Sequence, residues 1–98
     1  MGGIKALTDI IARVKVLPED VSIKPEEIIR SIKESINGFG SVVRYAIEPI
    51  AFGLNAVVID FRIEDKEGGT DQLEEALTIS KGVSQFDIIG VSRASTKL

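Results

Sequence analysis

The order in which two hydrophobic periods follow each other along the chain constrains the fold more than any other feature of this sequence. Alternation with a period of two predicts β-strands, and apolar spacings of three and four predict helices. Strands are predicted at residues 8–17, 41–48, 54–64 and 83–92, and helices at residues 25–36 and 70–81. With right-handed crossovers, the order β-α-β-β-α-β gives an α+β ferredoxin-like sandwich, a four-stranded antiparallel sheet with both helices on one face.

The first predicted helix has the clearest boundaries. Pro25 suits the first helical position, where its missing N–H would have no partner in any case. Glu26 and Glu27 place negative charge at the positive end of the helix dipole. The pair Asn37-Gly38 follows the last apolar residue, and both residue types tolerate the left-handed backbone that ends a helix. We therefore expect this helix to stop just before Asn37.

The second and third predicted strands are expected to pair as a hairpin, because only a short loop joins them. Alternation in the second strand assigns one set of side chains to one face: Val43, Tyr45 and Ile47. It assigns a second set to the other face: Val42, Arg44, Ala46 and Glu48.

Composition excludes several kinds of site. The 98 residues suit one domain, and a formal net charge of −3 argues against a dedicated nucleic-acid binder, which is usually basic. There is no His and no Cys, so imidazole bases, thiolate nucleophiles and the usual zinc ligands are excluded. We expect no catalytic residue, no metal site, no cofactor and no covalent chemistry. No apolar run approaches the roughly 20 residues that span a membrane, and the N-terminus lacks a secretory pattern, so we expect a cytoplasmic protein without a membrane partner.

RNA-recognition domains share this element order and stack bases on aromatic residues of the open sheet face. The predicted open face carries residues of the first and third strands, none of them aromatic: Ile11, Arg13, Lys15, Ala56, Val58, Asp60 and Arg62. An ordinary solvated face explains these residues as well as a binding surface would. We therefore predict no direct contact with nucleic acid.

Two polar segments resemble ligand sites only weakly. Gly68-Gly69-Thr70 could cradle a phosphate, but Asp71 stands where the Walker pattern needs a Lys. A turn followed by Thr70 as helix N-cap explains this segment better. The acidic group at residues 64–67 lacks the spacing of an EF-hand loop, so a solvated turn is expected there.

The loop between the hairpin strands is unusually apolar. Pro49 and Gly53 are loop residues, yet Ile50, Ala51 and Phe52 lie between them. Loops run over the surface and are normally polar. Either Ile50 and Phe52 fold back over the end of the core, or Phe52 is exposed for contact with a partner. The residues alone leave both alternatives open.

The end of the chain carries two cations, Arg93 and Lys97. From Arg93 onward the sequence has no period, and we expect it to fray. We expect residues 5–93 to form one domain and residues 94–98 to form a flexible tail.

Four ordered segments of the sequence resemble the archaeal elongation factor 1-beta family. The most specific is the loop with its flanks, Glu48-Pro49-Ile50-Ala51-Phe52-Gly53-Leu54. The others are Leu17-Pro18-Glu19-Asp20, Glu67-Gly68-Gly69-Thr70-Asp71 and Asp87-Ile88-Ile89-Gly90-Val91-Ser92-Arg93. The opening strand that precedes Leu17 is also similar, so the resemblance spans about residues 8–93, nearly the whole chain.

The resemblance implies a guanine nucleotide exchange factor that releases GDP from the GTPase elongation factor 1-alpha during translation elongation. It implies the same ferredoxin-like fold. It also implies that Phe52 docks on the GTPase, in a loop shaped by Pro49, Ile50 and Gly53. A cation near the end of the chain is implied to reach the magnesium site. Lys97 matches a penultimate lysine of eukaryotic relatives, whereas archaeal relatives often stop near Arg93, so either residue fits this role.

A different class of function is also compatible with the residues. The chain could be a small-ligand-binding regulatory domain of the ferredoxin-like type, with residues 18–24 as the candidate ligand loop. Oligomeric state does not follow from the sequence.

Overall fold

The computed structural model describes residues 9–64 and 69–93. Its elements are β1 (Asp9–Pro18), α1 (Pro25–Ile36), β2 (Gly40–Pro49), a 3-10 turn (Ala51–Gly53), β3 (Asn55–Glu64), α2 (Gly69–Ile79) and β4 (Val83–Arg93). The predicted order β-α-β-β-α-β is confirmed, and each strand boundary lies within one residue of its prediction where it can be compared. None of the helices in these two ranges is long and apolar enough to cross a membrane.

The four strands form one antiparallel sheet in the order β2-β3-β1-β4. β1 and β3 lie at the centre, where Val14 pairs with Ile59 and Val16 with Val57. Two central strands are therefore paired on both sides, whereas β2 and β4 are the sheet edges. The predicted hairpin is confirmed, since β2 pairs with β3 from Gly40 opposite Ile63 to Pro49 opposite Asn55.

Both helices cover the same face of the sheet, as predicted for a ferredoxin-like sandwich. α1 buries one stripe of side chains there: Ile28, Ile29, Ile32 and Ile36. α2 buries Leu73, Ala76 and Leu77, and the central strands contribute Ala12, Val14, Val16, Val57, Ile59, Phe61 and Ile63. Each fully buried Ile, Leu or Phe side chain stabilises the fold by about 1.5–3 kcal/mol. This apolar layer is the core of the molecule.

The helix limits agree with the sequence at α1 and differ at α2. α1 spans the predicted residues, and Gly38 has the left-handed φ of 111° that follows its end. α2 begins at Gly69, so the prediction that Thr70 is the N-cap is wrong, and Thr70 lies in the first turn. An N-cap residue is worth only about 1 kcal/mol, so the buried stripe that begins at Leu73 has the larger influence on where the helix lies.

A β-bulge in β2 breaks the predicted alternation. Val42 pairs with Phe61 and Arg44 with Asp60, so the partner strand advances one residue while β2 advances two. Val42 therefore faces the helices and packs against the core. Its predicted place on the face of Arg44 is wrong, because the extra residue reverses the sidedness of everything before it.

The last described residue, Arg93, is not frayed. It ends β4 and pairs with Ile10 across the β1–β4 ladder. The rest of the predicted tail, residues 94–98, lies outside the described residues, as do residues 5–8 at the other end of the predicted domain.

Candidate docking surface

The loop between β2 and β3 is a tight, hydrogen-bonded structure. The Ile50 N–H donates to the Leu54 carbonyl at 2.8 Å, and the Leu54 N–H donates to the Ala51 carbonyl at 3.3 Å. Pro49 and Asn55 form the last pair of the hairpin beneath it. The loop is therefore closed by backbone hydrogen bonds at the base of its tip.

Phe52 projects from this tip into solvent. Its residue surface is 94% exposed, although it is one of the largest apolar side chains of the protein. Its backbone has φ 64° and ψ 29°, the left-handed conformation that costs a residue with a Cβ roughly 1–2 kcal/mol. Gly53 follows with φ 77°, so two left-handed residues in succession turn the ring outward. Of the two alternatives left open by the sequence, the exposed ring is the one adopted.

The other predicted loop residues differ in exposure and in backbone conformation. Ile50 is half-buried, whereas Pro49, Ala51 and Gly53 are exposed. Gly53 takes a positive φ that most other residues would adopt only with strain. The structure thus brings Pro49, Ile50, Phe52 and Gly53 together at one end of the sheet.

The predicted cations are not part of this cluster. Arg93 pairs with Ile10, which pairs in turn with Ile63, at the opposite end of the sheet. The loop adjoins Asn55, so the two ends are eight residues of β3 apart, roughly 26 Å at about 3.3 Å per residue. Lys97 lies outside the described residues.

The open face of the sheet contains an ion cluster that the sequence did not reveal. Asp60 is only 3% exposed, although it lies on the face without helices. Arg13 donates to its two carboxylate oxygens at 2.8 and 3.1 Å, and Arg44 donates at 2.9 Å. Hydrogen bonding to Arg13, together with Arg44, holds the pKa of Asp60 below its ordinary value despite burial, which acts in the other direction. The pairing of β1 with β3 is the signal that could have predicted the contact between Arg13 and Asp60, since these two residues are directly opposite each other in the register.

Sites of other kinds find little support. Among the described residues, no group of three acidic side chains is placed to hold a metal ion. A cavity of about 560 Å³ lies beside the predicted ligand loop and is lined in part by Glu19, Ile23 and Ser31. The Ser31 hydroxyl already accepts the Lys81 N–H at 2.8 Å, so this polar group is used within the fold. The cavity indicates no particular class of ligand.

Fold and surface together define a small α+β domain of the ferredoxin-like type that presents an exposed aromatic ring on a hydrogen-bonded hairpin loop. Such a ring is suited to filling an apolar pocket of a protein partner. Comparison with known proteins identifies the family to which this domain belongs. The chain belongs to the EF-1 guanine nucleotide exchange domain family, whose model matches residues 11–94.

Individual relatives agree with this assignment. The chain is 38% identical to elongation factor 1-beta of Thermofilum pendens, over 91% of this chain and 99% of that relative. It is 34% identical to elongation factor 1-beta of Saccharolobus solfataricus and of Saccharolobus islandicus, over 89% of this chain and 97% of each relative. The protein is thus a guanine nucleotide exchange factor of translation elongation, in a family that acts with the GTPase elongation factor 1-alpha.

Proposed function

We propose that the protein releases GDP from elongation factor 1-alpha by contacting the GTPase at two separate places. The loop with Phe52 supplies one contact, and a cation near the end of the chain, Lys97 or Arg93, supplies the other. The exchange factor carries out no covalent chemistry. It acts in the cytoplasm on a protein partner, without direct contact to nucleic acid or membrane, and residues 5–93 form the exchange domain.

Exchange of this kind is a matter of differential binding. A factor that binds the nucleotide-free GTPase more tightly than the GDP-bound form weakens GDP binding by the same factor, because the two equilibria are linked. No acid, base or nucleophile is needed. The absence of His and Cys from the sequence is compatible with this mechanism.

The exposure of Phe52 is the observation that carries the docking half of the proposal. A ring that is 94% exposed loses nearly all its contact with water when it enters a pocket, and its rigid backbone leaves little conformational entropy to be lost. Buried aromatic anchors of this type contribute about 2 kcal/mol or more to an interface. Pro49, Ile50 and Gly53 take part by fixing the shape of the loop.

The cation supplies the electrostatic half of the proposal. Bound GDP would be held in part by a Mg²⁺ ion of the GTPase, which neutralises phosphate charge. A Lys or Arg side chain brought close to that site repels the metal and competes for the phosphate oxygens. The separation of roughly 26 Å between Phe52's end of the sheet and Arg93's end requires a partner that offers two separate surfaces.

Release of fluorescent GDP from elongation factor 1-alpha tests the proposal. The protein should accelerate release, and the Phe52→Ala variant should do so much less. Deletion of residues 94–98 assigns the cation: slower release would identify Lys97, whereas unchanged release would leave Arg93, to be tested as Arg93→Ala. If release is unchanged by the deletion and by Arg93→Ala, the electrostatic half of the proposal is wrong.

A further inference from the structure

A second exposed apolar side chain lies beside the Phe52 loop, on a different part of the chain. Val21, between β1 and α1, is 63% exposed. Its Cγ1 methyl lies 4.0 Å from the position that a Cβ on Gly53 would occupy. The two loops therefore lie close together at one end of the sheet, although about thirty residues separate them in sequence.

The loop that carries Val21 is held in place by its own hydrogen bonds. The Ser22 N–H donates to the Asp20 carboxylate at 2.8 Å, and the Ile23 N–H donates to the Asp20 carbonyl at 3.2 Å. The Glu19 N–H donates to the Gly82 carbonyl at 2.9 Å and ties the loop to the start of β4. Val21 thus lies in a turn between Asp20 and Ser22, and these two flanking residues are joined by a hydrogen bond.

Ile23 and Val21, the two apolar residues of this loop, differ in burial. Ile23 packs against the core, close to Gly82, and so supports the fold. Val21 makes no comparable contribution, since most of its surface remains in water. An exposed apolar side chain in a hydrogen-bonded turn, close to a second loop with an exposed apolar side chain, loses little backbone entropy when a partner covers both loops.

We infer that Val21 and Phe52 form one composite apolar contact, and that both insert into the same pocket of elongation factor 1-alpha. This inference rests on the proposed function, because it extends the Phe52 contact to a second loop. The occupant is the GTPase, since the Val21 methyl lies beside Gly53 of the loop proposed to bind it. Glu19 and Asp20 directly precede Val21 and are exposed, so a basic rim on that side of the pocket would complement the surface.

A double-mutant cycle tests this inference. Affinity for nucleotide-free elongation factor 1-alpha is measured for wild type, Val21→Ala, Phe52→Ala and the double variant. Removing two methyl groups from an apolar contact should weaken binding by about three- to tenfold. Because both side chains would share one pocket, the loss in the double variant should be smaller than the product of the two single losses.

Val43→Ala is the matched control. Val43 is also an exposed valine, but it lies in the bulge of β2, six residues before the loop at Pro49. Its truncation should leave affinity within twofold of wild type, roughly 0.4 kcal/mol. Thermal unfolding of each variant verifies that the fold is retained.

The outcomes separate this inference from the proposed function. If Phe52→Ala weakens binding and Val21→Ala does not, only the composite contact is wrong. If neither variant weakens binding, both the composite contact and the docking role of Phe52 are wrong. If both weaken binding with losses that multiply, Val21 makes a separate contact and the shared pocket is overturned.

Discussion

Arg13 on β1 and Asp60 on β3 face each other across the centre of the sheet, joined by two hydrogen bonds of 2.8 and 3.1 Å. Arg44 on β2 binds the same carboxylate at 2.9 Å, so this cluster links three strands. Asp60 is buried beneath the two guanidinium groups, and this pairing lowers its pKa. The cluster therefore couples the stability of the open face to pH.

Replacing Asp60 by Asn should lower the free energy of unfolding by about 1–2 kcal/mol at neutral pH, because two arginines lose their carboxylate. The pKa of Asp60 is lower in the folded state than its ordinary value of 3.8, so its contribution is complete above that value. It is lost as pH falls through the folded pKa. Urea unfolding measures the free energy of unfolding at neutral pH and in steps below about pH 4. The difference in this free energy between wild type and variant should become smaller as the pH falls.

Asp9→Asn provides the comparison for that experiment. Asp9 accepts a hydrogen bond from Arg62 at 2.7 Å, but both side chains are partly exposed. Exposed pairs contribute about 0–1 kcal/mol. Equal losses in the two variants would argue against a special role of the buried carboxylate.

Phe52→Ala should weaken binding to nucleotide-free elongation factor 1-alpha by at least tenfold and slow GDP release accordingly, since an aromatic anchor contributes about 2 kcal/mol or more. The melting temperature should not fall, because the ring makes almost no contact within its own domain. Stopped-flow release of fluorescent GDP measures the effect. Tyr45→Ala removes another exposed aromatic ring from the middle of β2 and should leave release unchanged. Full activity of Phe52→Ala would remove this ring from the mechanism.

Phe52→Gly should be more stable than Phe52→Ala by about 0.5–1 kcal/mol. Neither variant has the ring, so the comparison isolates the backbone. Alanine retains the cost of φ 64°, whereas glycine adopts this conformation freely but loses more entropy on folding. Chemical denaturation of both variants measures the difference. A less stable glycine variant would show that the left-handed conformation is not a source of strain.

Gly40→Ala should destabilise the fold by about 1–3 kcal/mol, because the added methyl has no room. A Cβ at this position would lie 2.7 Å from Ile63 Cγ2 and 3.1 Å from the Arg62 carbonyl oxygen. At Gly90 the nearest atom would be 4.0 Å away, so Gly90→Ala should change stability by less than about 0.5 kcal/mol. Equal melting temperatures for the two variants would contradict the tight approach of β2 to β3.

The sequence predicted the elements whose signals are local. Pro25 and Gly38 mark the limits of α1 through backbone chemistry that few other residues share. The alternation of β1 and β3 identified the buried face, because one side of each strand is almost entirely aliphatic. The family resemblance was carried mainly by the segment around Phe52, and the family model and relatives confirm it.

The remaining features depend on contacts between distant residues. The bulge near Val42 leaves no mark in the alternation, because every nearby residue is compatible with a strand. The burial of Asp60 requires two arginines from neighbouring strands, and the proximity of Val21 to Gly53 requires two loops to meet. Exposure of Phe52 depended on its left-handed backbone, which the residue type itself disfavours.

The ten-residue lengths of β1 and β3 have a consequence for the proposed two-ended contact. A paired strand does not stretch, so the sheet sets the spacing between the aromatic loop and the far end of β4. Inserting two residues into each strand would keep every side chain on its present face of the sheet. It would also increase the distance between the two contacts by roughly 7 Å. Under the proposed mechanism, the length of the strands would have to fit the distance between the two contact surfaces on the GTPase, in addition to allowing the domain to fold.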